Sequence, residues 1–370
     1  MRIVIDCRPL AGPWGGVRRY TQSLVEALAR NDRDNEYALS GLPRSWDEPS
    51  FSPHVGVYRD RYPMARFIDQ LCLTSVPGRV DLYHGTNYMA PLVGDYPTVI
   101  TVHDLSVNLL PKTHPMRRRL RHRLLPVLCR RASRIIADSM NTKRDLVRCH
   151  DIEADKIDVI YLAAGSNLER VRDTKALTAV HERYGLPERF LLYVGSVEPR
   201  KNLPSVLEAM AVLKEAGRPE SLVIAGRGEP KYLAHVRAVL RRNGLEEGRD
   251  VHFIGPVAET DLAALYSMCT LFVYPSLYEG FGLPPLEAMA CGAPVLLADN
   301  SSLSELFESS SAFVDLDRPD GLLRAIETLL DSDALREEFV EKGLKRAQSR
   351  TWDDIAIETL AVYRRAVEEG

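Results

Sequence analysis

The sequence predicts an α/β protein of two open, Rossmann-like parallel-sheet domains, and its length and two patterns carry that prediction. At 370 residues the chain is long for one domain and comfortable for two. Its C-terminal half alternates short apolar runs with amphipathic stretches in strict order, and its N-terminal half repeats the alternation less regularly. Short strands buried on both faces and linked by helices form parallel sheets with right-handed crossovers.

In the first domain, placed at residues 1–165, the strand candidates are "RIVID", "YALSG", "DLYHGT", "TVITVHD" and "RIIADS". The segment 42–80 is Pro-rich and irregular and supports no element. A polar, charged stretch at 166–189 reads as the linker region. The second domain, 190–350, opens with the buried-strand run "FLLYVG" (190–195) and the helical spacing of "NLPSVLEAMAVLKEAG". "SLVIAG" (221–226), "VHFIG" (251–255), "TLFVYPS" (270–276), "APVLLAD" (293–299) and "SAFVDL" (311–316) complete its strands. Helices over 319–331, 334–349 and 352–368 have no strands between them, and the last of these, in 351–370, is expected to pack back on the first domain. Two such domains on one linker place a ligand cleft between them, beyond the carboxyl ends of the strands.

Composition narrows the class. With 45% hydrophobic and 27% charged residues and a net charge of −3, the bulk numbers call for no nucleic-acid partner. The six cysteines are scattered, with no C-x-x-C pair, so they read as reduced thiols of a cytoplasmic protein. The N-terminus runs straight into "MRIVIDCR", without the basic and long apolar regions of a secretory signal. No apolar run approaches the roughly 20 residues of a spanning helix. "GRGEPK" (226–231) has Lys231 where a dinucleotide fingerprint needs its third glycine, and the Walker phosphate loop is missing, so hydride chemistry has no support.

The most informative stretch is "YEGFGLPPLEAMACGAP", residues 278–294. It follows a strand, and Glu279 falls in the loop after it. Gly280 and Gly282 flank Phe281 and permit positive φ and close backbone approach to a ligand. Pro284 and Pro285 suit the first positions of a helix, which Gly292 ends. N–H groups over 282–284 and the positive end of that helix form a phosphate site. Glu287, expected in the first turn, is placed to hold a ribose diol, while Glu279 on the loop reaches beyond the phosphates. A plain helix start with acids favouring the dipole is the structural alternative.

These residues carry a resemblance. The two glutamates eight positions apart, the inner Phe-Gly and "EAMACGAPV" are similar to the signature of the family-4 retaining glycosyltransferases of the GT-B fold. The Gly15-Gly16 loop before "VRRYTQSLVEAL", "TVHDL" (101–105), "ADSMNTKRDLV", "YVGSVEPRKNL" (193–203), "LVIAGRG" and "HFIGPV" agree in order and spacing. The match spans nearly the whole chain and is weakest at 42–80.

The resemblance implies a metal-independent enzyme of polysaccharide biosynthesis that takes a nucleoside diphosphate sugar as its donor substrate. Lys201 and Arg200 match the family's basic pair on the donor diphosphate, and such cations are what a metal-free site requires. Gly15 and Gly16 match the loop that offers backbone N–H groups to the same phosphates. Glu287 matches the ribose-holding acid, Glu279 with the backbone of Phe281, Gly282 and Leu283 the sugar-contacting loop, His103 the histidine near the transferred sugar, and Val257 the backbone contact to the base. Ser196 stands where many relatives carry an arginine. "GSVEPRKN" is like a subgroup, including many bacterial mannosyltransferases, in which Arg200 and Lys201 alone supply the cations; GDP-mannose is therefore the expected donor.

Rival classes are a glycoside hydrolase with Glu279 and Glu287 as its acid–base pair, and a non-catalytic sugar-nucleotide-binding subunit. A related 2-epimerase fits less well, because the signature loops differ. "DLD" (315–317) reads as turn and cap residues rather than a metal site. The segment 116–134 concentrates eight arginines, with Leu120, Leu124 and Leu128 at helical spacing. The favoured reading is a domain helix with its leucines in the core and solvated arginines. The alternative is a basic amphipathic helix on the anionic inner face of a membrane, which fits a lipid-linked acceptor; a glycan or a small molecule is equally open.

Overall fold

The computed structural model describes residues 1–12, 15–42, 54–59, 72, 73 and 75–369. The chain divides into two compact units, Met1–Leu162 with Arg350–Gly370, and Ala163–Ser349.

The first unit holds a parallel sheet of β1 (Arg2–Asp6), β2 (Glu36–Leu42), β3 (Val55–Arg59), β4 (Leu82–Gly85), β5 (Thr98–Val102), β6 (Arg134–Ala137) and β7 (Ile157–Val159). Their order is β3-β2-β1-β4-β5-β6-β7. The five strands expected from apolar runs are present. β3 lies in the stretch where the sequence showed no element; its five residues, VGVYR, are half-buried, and Gly56 and Arg59 interrupt the short apolar run. Most of the remainder of 42–80 falls outside the described residues.

The second unit holds β8 (Phe190–Val194), β9 (Ser221–Ala225), β10 (Val251–Gly255), β11 (Leu271–Tyr274), β12 (Val295–Ala298) and β13 (Ala312–Val314), ordered β10-β9-β8-β11-β12-β13 and all parallel. All six expected runs form strands. The stretch 166–189 belongs to this unit and carries the helix Thr174–Tyr184. The Asp173 side chain caps that helix and Gly185, at φ +57°, ends it.

In both sheets the strand order reverses once, between β1 and β4 and between β8 and β11. Loops leaving the carboxyl ends there diverge to opposite faces and open the crevice in which such sheets hold ligands.

The last helix, Trp352–Glu368, completes the first unit. It starts with a reciprocal capping box between Thr351 and Asp354. Trp352, Ile355, Ala356 and Tyr363 are buried on its inner face. It packs against the helix Gly16–Asn31, where Arg30 and Asn31 both donate to Asp353 at 2.7 Å.

The segment 116–134 departs from its favoured reading. It forms two short helices, Met116–His122 and Leu125–Arg131, because Pro126 cannot sit inside a helix and starts a new one. Leu128 is buried as expected, but Leu120 is 51% and Leu124 41% exposed, alongside exposed Met116 and Val127. The break after His122 turns the expected apolar stripe away from the core.

Candidate active site

At the β8/β11 reversal two loops bring the signature residues together. After β8, Gly195 (φ +153°) turns the chain toward a short 3-10 turn, Pro199–Lys201. Gly226, after β9, packs so closely beneath it that a Cβ would stand 1.9 Å from the Gly195 carbonyl oxygen. After β11, the loop 275–282 leads to the helix Leu283–Ala290. Gly282, at φ +103°, makes the entry, and a Cβ there would meet Leu303 at 2.8 Å.

Arg200, Lys201 and Glu279 form one buried cluster, each under 8% exposed. The Lys201 Nζ lies 2.5 Å from Glu279 Oε1 and Arg200 Nη1 lies 2.8 Å from Oε2. Arg200 also donates to the Tyr278 carbonyl (2.6 Å) and to Glu198 (2.7 Å), and Lys201 donates to the Tyr274 hydroxyl (2.5 Å). The Tyr274 ring stacks on Tyr193, whose hydroxyl donates to the carbonyl of Ser196, an exposed residue. Burial alone raises the Glu279 carboxyl, but Arg200 and Lys201 outweigh it and hold the group at about 2. Burial and the Arg200 charge pull the Lys201 ammonium below its ordinary value, against Glu279.

Glu279 is therefore not the loosely placed acid that the sequence suggested. Both of its oxygens are committed to cations, and it fixes their separation. Its main chain is fixed too. Ser301 accepts the Glu279 N–H (3.0 Å) while donating to Asn300, and Ser302 donates to the Glu279 and Phe281 carbonyls (2.9 and 3.2 Å). Asn300 donates to the Ser276 carbonyl at 2.9 Å. This strap of consecutive residues left only a helix-start signal in the sequence.

The phosphate-site reading narrows at the helix start. Pro284 and Pro285 carry no N–H, so the donors there reduce to residues up to Leu283. The Phe281 ring is buried edge-on to Phe307 at 6.5 Å, its carbonyl accepts from Ser302, and Leu283 is buried, which leaves their backbone N–H groups as the part that can meet a ligand. Glu287 sits in the second turn rather than the first, 5% exposed, and accepts the Tyr266 hydroxyl at 3.1 Å. Val257, half-buried, lies in the loop after β10, where the next residue, Ala258, donates its N–H to the Tyr184 hydroxyl at 3.2 Å.

The first unit contributes separately. Gly15 caps the helix Gly16–Asn31; both glycines are exposed, and the first turn carries no acid. His103, after β5, directs Nδ1 to Asp138 (2.7 Å) and Nε2 to the Thr86 carbonyl (2.9 Å). A carbonyl only accepts, so Nε2 carries a proton, and Nδ1 shares one with the carboxyl. Burial lowers the His103 value, but Asp138 wins and raises it. Neither nitrogen is open to act as a base in this arrangement. Behind it, Tyr363 contacts His84 Nδ1 (2.6 Å), His84 Nε2 contacts Thr101 (2.8 Å), and Thr101 contacts Tyr20 (2.9 Å). Burial holds His84 neutral, at about 3. Asp138 and His84 stand at strand ends within quoted motifs, the only sequence signal they gave.

In "DLD", Asp315 accepts the Asp317 N–H (3.0 Å) and pairs with Arg318 (3.2 Å), a turn. Among the described residues no cluster of His, Cys, Asp and Glu has the arrangement to hold a metal ion.

Residues 14–164 match Glycosyltransferase Family 4, and residues 179–346 match Glycosyl transferases group 1. The O-antigen chain mannosyltransferase B of Escherichia coli is 32% identical over 98% of this chain and 100% of its own. Two solved structures share the fold: the sucrose-phosphate synthase of Thermosynechococcus elongatus (TM-score 0.78, 22% identity, 100% of both chains) and Anabaena HepE in complex with UDP-glucose (TM-score 0.75, 22% identity, 98% of this chain and 100% of that one). With both sheets of the GT-B type, both family matches and a full-length relative above 30% identity, the chain belongs to the group 1 glycosyltransferases, with a family-4 N-terminal unit.

Proposed function

We propose that this glycosyltransferase is a retaining, metal-independent mannosyltransferase that uses GDP-mannose. The observation that carries the reading is the buried Arg200–Lys201–Glu279 cluster at the strand-order reversal of the second unit. Arg200 and Lys201, pinned in place by Glu279 and Glu198, are preorganised donors for the negative charge that develops on a departing diphosphate. In this reading they take the part that a metal ion would otherwise play. The mannosyltransferase relative supports mannose as the sugar.

In the reaction, the bond from the anomeric carbon to the diphosphate oxygen breaks, and the bond to the acceptor oxygen forms on the same face. The acceptor proton passes to the leaving diphosphate. A front-face route of this kind asks no nucleophile of the protein, which suits a Glu279 whose oxygens are both paired and whose carboxyl is held at about 2. The same depression makes Glu279 a poor general acid and argues against the hydrolase class. Glu287 is read as the ribose contact, Val257 as the base contact, and Gly15 and Gly16 as phosphate donors.

The acceptor is a glycan, a lipid-linked saccharide or a small molecule. The exposed arginines and leucines of 116–124 support a cytoplasmic enzyme that rests on the anionic inner face of a membrane.

A thermal-shift panel of GDP, UDP, ADP and dTDP tests the donor. GDP should raise the melting temperature most, since binding to the folded state stabilises it. In Lys201→Ala that shift should shrink and transfer should slow severely. A UDP preference would overturn the GDP assignment, and no shift with any nucleotide would overturn nucleotide-sugar use.

A further inference from the structure

Asn87 stands out on the first unit, in the loop after β4. With β1, β4 flanks the strand-order reversal of that sheet, the place where open parallel sheets hold ligands. The loop is tied at nearly every group. Thr86 donates its hydroxyl to the Asp6 carbonyl (2.6 Å) and accepts one from Thr21 (3.1 Å), while its carbonyl takes the His103 Nε2 proton (2.9 Å). The Tyr88 N–H reaches the Thr101 carbonyl (2.8 Å), and the Met89 N–H reaches the Asn87 carbonyl (2.6 Å).

That last bond closes a three-residue turn around Tyr88, whose φ is +46°. A γ-turn with positive φ is the rare, strained form, and tyrosine gains nothing from the left-handed region. Gly85 makes room for it, since a Cβ there would stand 2.1 Å from the Met89 carbonyl oxygen. Strain that the surroundings hold this firmly marks places where geometry serves function.

The side chain presented by this turn is that of Asn87. It is half-exposed, and its carboxamide makes no hydrogen bond among the described residues. The Thr86 carbonyl held by His103 belongs to the same peptide unit as the Asn87 nitrogen, so Asn87 is covalently adjacent to that contact. A carboxamide offers one acceptor and two donors. That suits a sugar hydroxyl, which gives and takes a hydrogen bond, better than a phosphate, which would use the donors alone and leave the acceptor idle. We propose that Asn87 binds a hydroxyl of the acceptor sugar beside His103 and selects saccharide acceptors. This rests on the glycosyl-transfer reading above.

The test measures GDP release from GDP-mannose with methyl α-D-mannopyranoside as the probe acceptor. Asn87→Ala should raise the mannoside KM about tenfold, the worth of one or two neutral hydrogen bonds, with the GDP-mannose KM within about twofold of wild type. Asn87→Ser, which keeps a smaller donor and acceptor, should recover part of the loss and melt with wild type. An unchanged mannoside KM overturns the proposal, as does an equal rise in the GDP-mannose KM or a wild type whose GDP release the mannoside does not accelerate. Failure of the underlying reading looks different: no GDP thermal shift and no turnover of GDP-mannose at all.

Discussion

Glu279 shows what a single residue decides at this site. Its oxygens bridge Lys201 and Arg200, so removing its charge leaves Arg200 with Glu198 alone and the buried Lys201 with no carboxylate among the described residues. Glu279→Gln should destabilise the protein by about 3–5 kcal/mol, as when one partner of a buried pair is lost. Denaturant unfolding at neutral pH checks this, and wild-type stability in the variant would remove Glu279 from the fold's energetics. The pH dependence has a definite sign. The folded carboxyl sits near 2 against an ordinary 4.5, so its stabilisation is full above 4.5 and is lost as the pH falls from there toward 2. The variant should lack that part of the acid transition. The two glutamates were legible in the sequence at their spacing. Their partnerships were not, because Arg200 and Lys201 reach Glu279 across 79 and 78 residues and spacing says nothing of such folding.

At the scale of elements, the strand ends do the positioning. The loops after β8 and β9 lie back to back, and Gly226 is fixed there by both its φ of +148° and the 1.9 Å approach to Gly195. Gly226→Ala should cost about 3 kcal/mol or more and should displace the turn carrying Arg200 and Lys201, lowering donor affinity as well. The check is the melting temperature together with the GDP-induced shift; a variant that keeps both would show that the loop can yield. The sequence revealed all six strands of this unit, since each carries a short apolar run, including β10 and β13, which are mostly half-buried. It misjudged 116–134. There the leucine spacing was helical, but Pro126 divided the helix, and Leu120 and Leu124 face outward.

On the scale of the whole molecule, a net charge of −3 conceals strong local asymmetry. Arg117, Arg118, Arg119, Arg121 and Arg123 are exposed beside Met116, Leu120 and Leu124. Basic side chains set among apolar ones favour an anionic bilayer surface, by about 1 kcal/mol per charge near it. The protein should co-sediment with phosphatidylglycerol-containing vesicles, and this should weaken with added salt and in a Leu120→Ser, Leu124→Ser variant. Equal binding to neutral phosphatidylcholine vesicles, or none to either, would rule out an anionic-surface role for this segment.

The sequence by itself determined the fold class, most of the strands and the family, because these rest on local periodicity and on glycines and prolines whose backbone demands are local. Tertiary structure alone decided what the charged and polar groups do. It committed both oxygens of Glu279 to cations, occupied both nitrogens of His103, moved Glu287 to the second helical turn and left the Asn87 carboxamide without a partner among the described residues. A side chain's chemistry depends on what burial and distant neighbours leave available to it, and those neighbours come from far along the chain.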